Sequence, residues 1–167
     1  AWRPNQVWRH ELGTTGEDVL VFEEPDERYF VGVGRTSSEK FLVLAVGSKI
    51  TSEMRLLDAM DPTGEFCAVW PRREGVEYSA EHFVLDGRDK LAILHNDGAE
   101  NFELVIADLA EPTTCEVLIA HSPEVRLEGV DAFKNNLVLS YRRDAMTRIA
   151  LLDLGEGTIG EPNEIEF

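Results

Sequence analysis

No part of this sequence stays apolar long enough to cross a bilayer as a helix. Its hydrophobic runs, such as FLVLAVG from Phe41, are of strand length, against the roughly 20 residues that a spanning helix needs. No basic-then-apolar leader opens the chain, so it reads as cytoplasmic, with no membrane partner. A start at AWRPNQ that runs straight into a strand pattern is equally consistent with a natural start further upstream. Cysteine is scarce: Cys67 and Cys115 make no disulfide framework, neither has a Cys or His at metal-ligand spacing, and both are expected to be buried thiols. Positive charge is in deficit, with 16 Lys and Arg against 32 Asp and Glu and a formal net charge of -16. Nucleic acid is therefore a poor partner. The acidic residues are scattered through turns and strand ends, which suits either a solvated acidic surface or attraction of basic substrates.

Catalytic signatures are missing too. The histidines, His10, His82, His95 and His121, lie far apart and read as ordinary polar or turn residues. Gly-x-Ser-x-Gly is absent; Ser48 in VGSKI has a glycine before it but none after, and it falls between two strand runs. VGVG at 31–34 has no helix after it, so it is a strand with small residues and not a nucleotide loop. NDGAEN at 96–101 lacks the alternating acidic ligands of a calcium loop and reads as a hairpin connection. No cofactor and no metal are expected.

What is present is a chain of 167 residues, 43% hydrophobic and 29% charged, which suffices for one domain with a core. Segments near 6–13, 18–23, 28–35, 40–47, 53–59 and 65–70 are short, rich in β-branched and aromatic residues, and bounded by Gly, Pro, Asp or Ser. The rhythm continues through EYSAEHFVL, KLAILHN, FELVIADL, CEVLIAH, LEGVDAF, NLVLSYR, TRIALLDL and NEIEF. No window of helical length shows a 3.6-residue period. The fold class is all-β, with about fourteen strands.

These strands repeat. Asp58, Asp108 and Asp153 each close an apolar run, and the preceding runs FLVLA, LAIL and LVLS keep nearly the same spacing. A period of roughly 40–50 residues carrying four strands is the signature of propeller blades. Within each unit the second strand is the most uniformly apolar, as expected of an interior strand packed on both faces. The third ends at the repeated Asp, whose carboxylate can accept bonds from turn amides. The fourth is the outer edge and carries Cys67 or Cys115. By the same alignment QVWRHELG and DVLVFEE are third and fourth strands of a unit whose first two are missing. The expectation is a partial β-propeller of about three and a half four-stranded blades: 1–24 as two outer strands, then blades at 25–71, 72–124 and 125–167.

VWRHELGT at 7–14, DVLVFEE at 18–24, TSEMRLLDA at 51–59, PRREGVEYSAEH at 71–82 and LHNDGAENFEL at 94–104 resemble the N-terminal domain of the oligopeptidase B group in the prolyl oligopeptidase family of serine peptidases. The resemblance implies a seven-bladed propeller that caps an α/β-hydrolase catalytic domain of the same polypeptide and restricts access to short peptides, cleaved after Arg or Lys. The family's nucleophile segment and its downstream Asp and His have no counterpart here, so no catalytic residue is assigned and the chain alone is expected to be inactive. Its partners would be that catalytic domain and basic oligopeptides.

In the propeller reading the first strand of each unit lines the central channel. Glu77, Glu81, Glu128 and Asp131 are then the acidic residues placed to give it a negative potential, or else strand-end carboxylates paired with Arg72, Arg73 or Arg126. Arg72 and Arg73, in the polar connection RREG, are candidates for a bridge to another domain. A stand-alone propeller that binds other proteins shares every periodicity argument. Three and a half blades, however, would leave a strand edge and two apolar faces open, so self-association or only marginal stability of the chain is expected.

Overall fold

Residues 2–166 are described by a computed structural model of the protein. Among them are fifteen strands and no helix: β1 (Gln6–Arg9), β2 (Val19–Glu23), β3 (Phe30–Arg35), β4 (Phe41–Gly47), β5 (Ser52–Asp58), β6 (Cys67–Ala68), β7 (Tyr78–Leu85), β8 (Arg88–His95), β9 (Glu103–Asp108), β10 (Cys115–Ile119), β11 (Val125–Ala132), β12 (Asn136–Arg143), β13 (Met146–Gly155), β14 (Thr158–Ile159) and β15 (Asn163–Glu164). They form four antiparallel sheets in chain order. Sheet A is β1-β2; sheet B runs β3-β4-β5-β6; sheet C runs β7-β8-β9-β10; sheet D runs β11-β12-β13-β14, with β15 also on β13. Each four-stranded sheet is a meander whose first strand is one edge. This is propeller architecture.

Three apolar layers, one between each pair of successive sheets, hold the stack together. Val7 and Phe22 of sheet A meet Tyr29, Val31, Leu44 and Val46 of sheet B. Phe41 and Leu56 of sheet B meet Tyr78, Ala80, Leu91, Ile93, Val105 and Ala107 of sheet C. Phe83, Ala92, Leu94 and Leu104 of sheet C meet Leu127, Leu137, Leu139 and Leu152 of sheet D. Strand side chains alternate faces, so Leu91 and Ile93 serve one layer and Ala92 and Leu94 the next. β8 is accordingly buried without interruption from Leu91 to His95, whereas β12 in the last sheet alternates.

Turn chemistry fixes the meanders. Asp86 and Gly87 both have positive φ (49° and 72°), which is the mirror-image turn that suits a two-residue hairpin. Asn96 to Asn101 is the expected hairpin loop, closed by Ala99 N–H donating to the Asn96 carbonyl and Phe102 N–H to that of Ala99. Of the repeated aspartates, Asp58 accepts the Met60 amide at 2.8 Å. Asp108 instead pairs with Lys90, and Asp153 accepts from the Asn136 side chain.

Four sequence expectations change. The strand expected over 6–13 stops at Arg9, because the chain turns at Glu11–Thr14 with Gly13 at φ 84°. The strand expected over 65–70 shortens to Cys67–Ala68, since only Arg55↔Ala68 and Leu56↔Cys67 pair before the chain leaves toward Pro71. β14 was not expected; a Glu156–Gly157 turn folds two residues back onto β13. Cys67 is exposed, not buried, because among the described residues no strand pairs outside β6, while Cys115 is partly covered and burial raises its thiol pKa. Of the expected terminal strand NEIEF, Asn163–Glu164 form β15; Phe167, like Ala1, lies outside the described residues. Glu164 ties this end down through Tyr141 Oη, Arg143 and Arg148.

Candidate functional site

The residues singled out from the sequence fall on the first strands of the sheets and on the connections into them. Glu81 sits mid-way along β7, half buried, and its carboxylate accepts the Ser37 amide of sheet B at 3.5 Å. Burial raises its pKa above the usual carboxylate range; the Ser37 bond opposes this and the charge of Asp131 on β11 adds to it. The Ser37 turn of sheet B thus reaches Glu81 of sheet C directly, and the charge of Asp131 on sheet D acts on it as well.

The other two acids are held on their own sheets. Glu77 precedes β7, where its amide donates to Asn96 Oδ1 at 2.7 Å and its carboxylate accepts weakly from Asn96 Nδ2 at 3.5 Å. Glu128 is the extra residue of a bulge, between Leu127↔Tyr141 and Gly129↔Ser140, and it pairs with Arg142 at 3.2 Å. A bulge re-aims a side chain along an edge strand, here onto a neighbouring arginine.

Arg72 and Arg73 behave differently although they are adjacent. Arg72 is half buried: it donates to Glu24 at 2.6 Å, lies 3.7 Å from Glu53, and stacks over the Tyr29 ring at 4.1 Å. Burial alone would raise the Glu24 pKa; the bonds from Arg72 and from the Asp26 amide hold it below the ordinary value. This side chain joins the connection from sheet A, strand β5 and the connection toward sheet C. Arg73 is exposed and pairs with Asp97 on the β8–β9 loop at 2.5 Å.

One constellation has no sequence signal, because its members are up to 51 positions apart and share no motif spacing. His82 on β7, buried to 1% exposure, has Nδ1 at 2.8 Å from Ser38 Oγ and Nε2 at 3.1 Å from Asp89 Oδ1, and Asp89 takes Lys40 Nζ at 2.6 Å. Serine, imidazole and carboxylate stand in line, yet the arrangement is a tie. Ser38 Oγ is also engaged by Thr36 Oγ1 at 2.9 Å, and it belongs to the tight turn that joins β3 to β4. Burial lowers the His82 pKa, with Asp89 only partly offsetting it, so the ring is a neutral bridge between sheets B and C. Ser48, the other serine considered, caps its own turn by accepting the Thr51 amide. Among the described residues no group of three or more His, Cys, Asp or Glu is arranged to hold a metal ion.

Residues 2–164 match the family described as the prolyl oligopeptidase N-terminal β-propeller domain. The chain belongs to this family. Within the prolyl oligopeptidase propellers, it is similar to Protease 2 of Moraxella lacunata, at 34% identity over 92% of this chain and 22% of that protein. It is also similar to dipeptidyl aminopeptidase BI of Pseudoxanthomonas mexicana, at 35% identity over 88% of this chain and 20% of that protein. Among solved structures, oligopeptidase B from Trypanosoma brucei, in a closed form with covalently bound antipain, superposes with a TM-score of 0.88 at 34% identity, covering 99% of this chain and 24% of that one. Oligopeptidase B from Leishmania major gives 0.87 at 30% identity, with the same coverage. The chain thus spans less than a quarter of the length of each of these relatives. It is a propeller portion of the kind found in Protease 2 and oligopeptidase B.

Proposed function

We propose that this chain is the non-catalytic propeller part of an oligopeptidase B-like serine peptidase that cleaves short peptides after Arg or Lys, and that it gates their access to an α/β-hydrolase domain of the same polypeptide. The observation that carries the reading is the likeness to oligopeptidase B over almost the whole chain, at 34% identity. The full propeller would have seven blades, of which these sheets supply about half, with 25–71, 72–124 and 125–167 as blades. In that frame β3, β7 and β11 line the channel, and the influence of the Asp131 charge on Glu81 supports a negative potential there. Such a potential favours cationic peptides. Arg73, exposed at the connection into β7, is better placed than Arg72 to reach a neighbouring domain. Two free thiols accord with a cytoplasmic setting, and open sheet edges with self-association of the isolated chain.

The test uses the full-length parent enzyme. Charge reversal at Glu77, Glu81, Glu128 and Asp131, with Glu81→Gln as the uncharged comparator, is expected to lower turnover of long basic peptides more than of dipeptide-sized substrates. Equal losses on both would sink the channel reading.

A further inference from the structure

Sheet B leaves part of sheet C uncovered. Its outer strand β6 is two residues long, whereas β10 beside it runs for five, so the outer half of the sheet C face has no strand opposite it. A cleft of about 440 Å³ opens there, on the periphery of the propeller, lined among others by Trp70, Arg73, His95, Asp97, Glu103 and Cys115. Both of its walls belong to this chain.

Trp70 is fixed as one wall, because its Nε1–H donates to the Pro112 carbonyl at 2.7 Å, and its ring packs 5.0 Å from His95. His95 is 6% exposed, and burial keeps it neutral despite the nearby Glu103. Its Nε2 faces Glu103 Oε1 at 3.7 Å, too long for a hydrogen bond, and its Nδ1 has no partner. With the ring proton best placed on Nε2, toward the carboxylate, Nδ1 is an unfilled acceptor. Glu103 itself receives only a weak 3.5 Å contact from the His121 amide. At the rim the charge of Arg73 is balanced by Asp97. The cleft therefore holds an underused carboxylate and an indole beside the buried, neutral ring of His95, with no free cation among its lining side chains.

We propose that this cleft is a binding site for the arginine side chain of a peptide, separate from the channel. A guanidinium is flat, so it can lie along the indole of Trp70 while it forks onto the Glu103 carboxylate. A lysine ammonium lacks the plane and the fork. Neutral or anionic side chains leave Glu103 unanswered. The inference stands on the cleft alone and does not depend on the peptidase reading.

The test is an NMR titration of this chain with N-acetyl-argininamide, following the Trp70 indole N–H and the His95 ring, with the indole signals of Trp2 and Trp8 as internal references. The expected result is a saturable shift confined to Trp70 and His95, weakened about tenfold or more by Glu103→Gln, since a charge-assisted fork becomes a neutral contact. N-acetyl-citrullinamide, the uncharged isostere, should leave both signals in place at the same concentrations, and this arm needs no variant to fold. Absence of a saturable shift, equal shifts with the citrulline compound, or binding unchanged by Glu103→Gln would each overturn the proposal.

Discussion

Removing one hydroxyl, in Tyr78→Phe, should loosen the joint between sheets B and C without altering its packing. Tyr78 is 5% exposed, and its ring sits 5.3 Å from that of Trp70. Its Oη accepts the Met54 amide at 2.9 Å and the Trp70 amide at 3.1 Å, and donates to the Trp70 carbonyl at 2.9 Å. Three polar groups at the point where the chain leaves the truncated outer strand are thus satisfied by one side chain of the next sheet. Burial raises the phenol pKa, so the donor is present throughout the neutral range.

Phenylalanine keeps the ring and strands two amides. A buried donor left without a partner costs roughly 1–3 kcal/mol, and these sites are partly buried, so a total loss of about 2–4 kcal/mol is expected. For a chain of this size that corresponds to a fall in Tm of roughly 5–15 °C. Equilibrium urea unfolding followed by circular dichroism should show a lower midpoint with an unchanged m-value. A loss below about 0.5 kcal/mol, the ordinary range of a neutral surface change, would refute the idea that this hydroxyl joins the sheets.

Arg72→Ala should destabilise the chain by roughly 2–4 kcal/mol, because it leaves Glu24, 4% exposed, without its cation, while Glu53 keeps Arg55 at 2.7 Å; an unchanged urea midpoint would mean that Arg72 is free for another role. Stability should also fall as pH drops from about 7 to 5, since burial depresses the pKa of both His82 and His95 below the unfolded value near 6.5. In that window the unfolded chain binds more protons than the folded one, so stability rises with pH and levels off below the folded pKa values. Glu81 works in the opposite sense, its raised pKa favouring the fold at lower pH, and a Glu81→Gln background removes that contribution. A urea midpoint that stays flat or rises on acidification in this background would refute the histidine argument.

Much of the fold was legible because period and composition coincide. The repeated Asp58 and Asp108 do close third strands, whereas β13 runs two residues past Asp153 to pair with β14, and LAIL in sheet C is buried on both faces, as a strand between two neighbours must be. Strand lengths were less legible, because pairing decides them: Phe66 and Val69 read as strand residues, but only Cys67 and Ala68 pair in register with β5, and Val69 adds a single bond to the Met54 carbonyl. The polar joints were invisible for a related reason. Ser38, His82 and Asp89 meet only after two sheets stack, and nothing in TSSEK or AEHFV marks them. The shift of Cys67 to the surface follows from the shortening of β6. The cleft beside His95 follows from the same shortening, so one misjudged strand end concealed both.

The joint at His82 bears on how the channel test must be read. Ser37 and Ser38 are neighbours on one turn of sheet B; the first donates its amide to Glu81, and the second meets His82. A lysine at position 81 removes an acceptor for that turn as well as a charge, and it brings a cation to a strand whose adjacent residue is a buried imidazole. Some loss of activity would then come from a displaced turn. Glutamine keeps an acceptor oxygen in place while removing the charge. Because the fold already disfavours the ionised form of Glu81, through burial and through Asp131, the neutral replacement should not weaken the joint at pH 7. An effect of Glu81→Gln on long basic peptides can therefore be assigned to potential, whereas an effect seen only on charge reversal belongs to the turn.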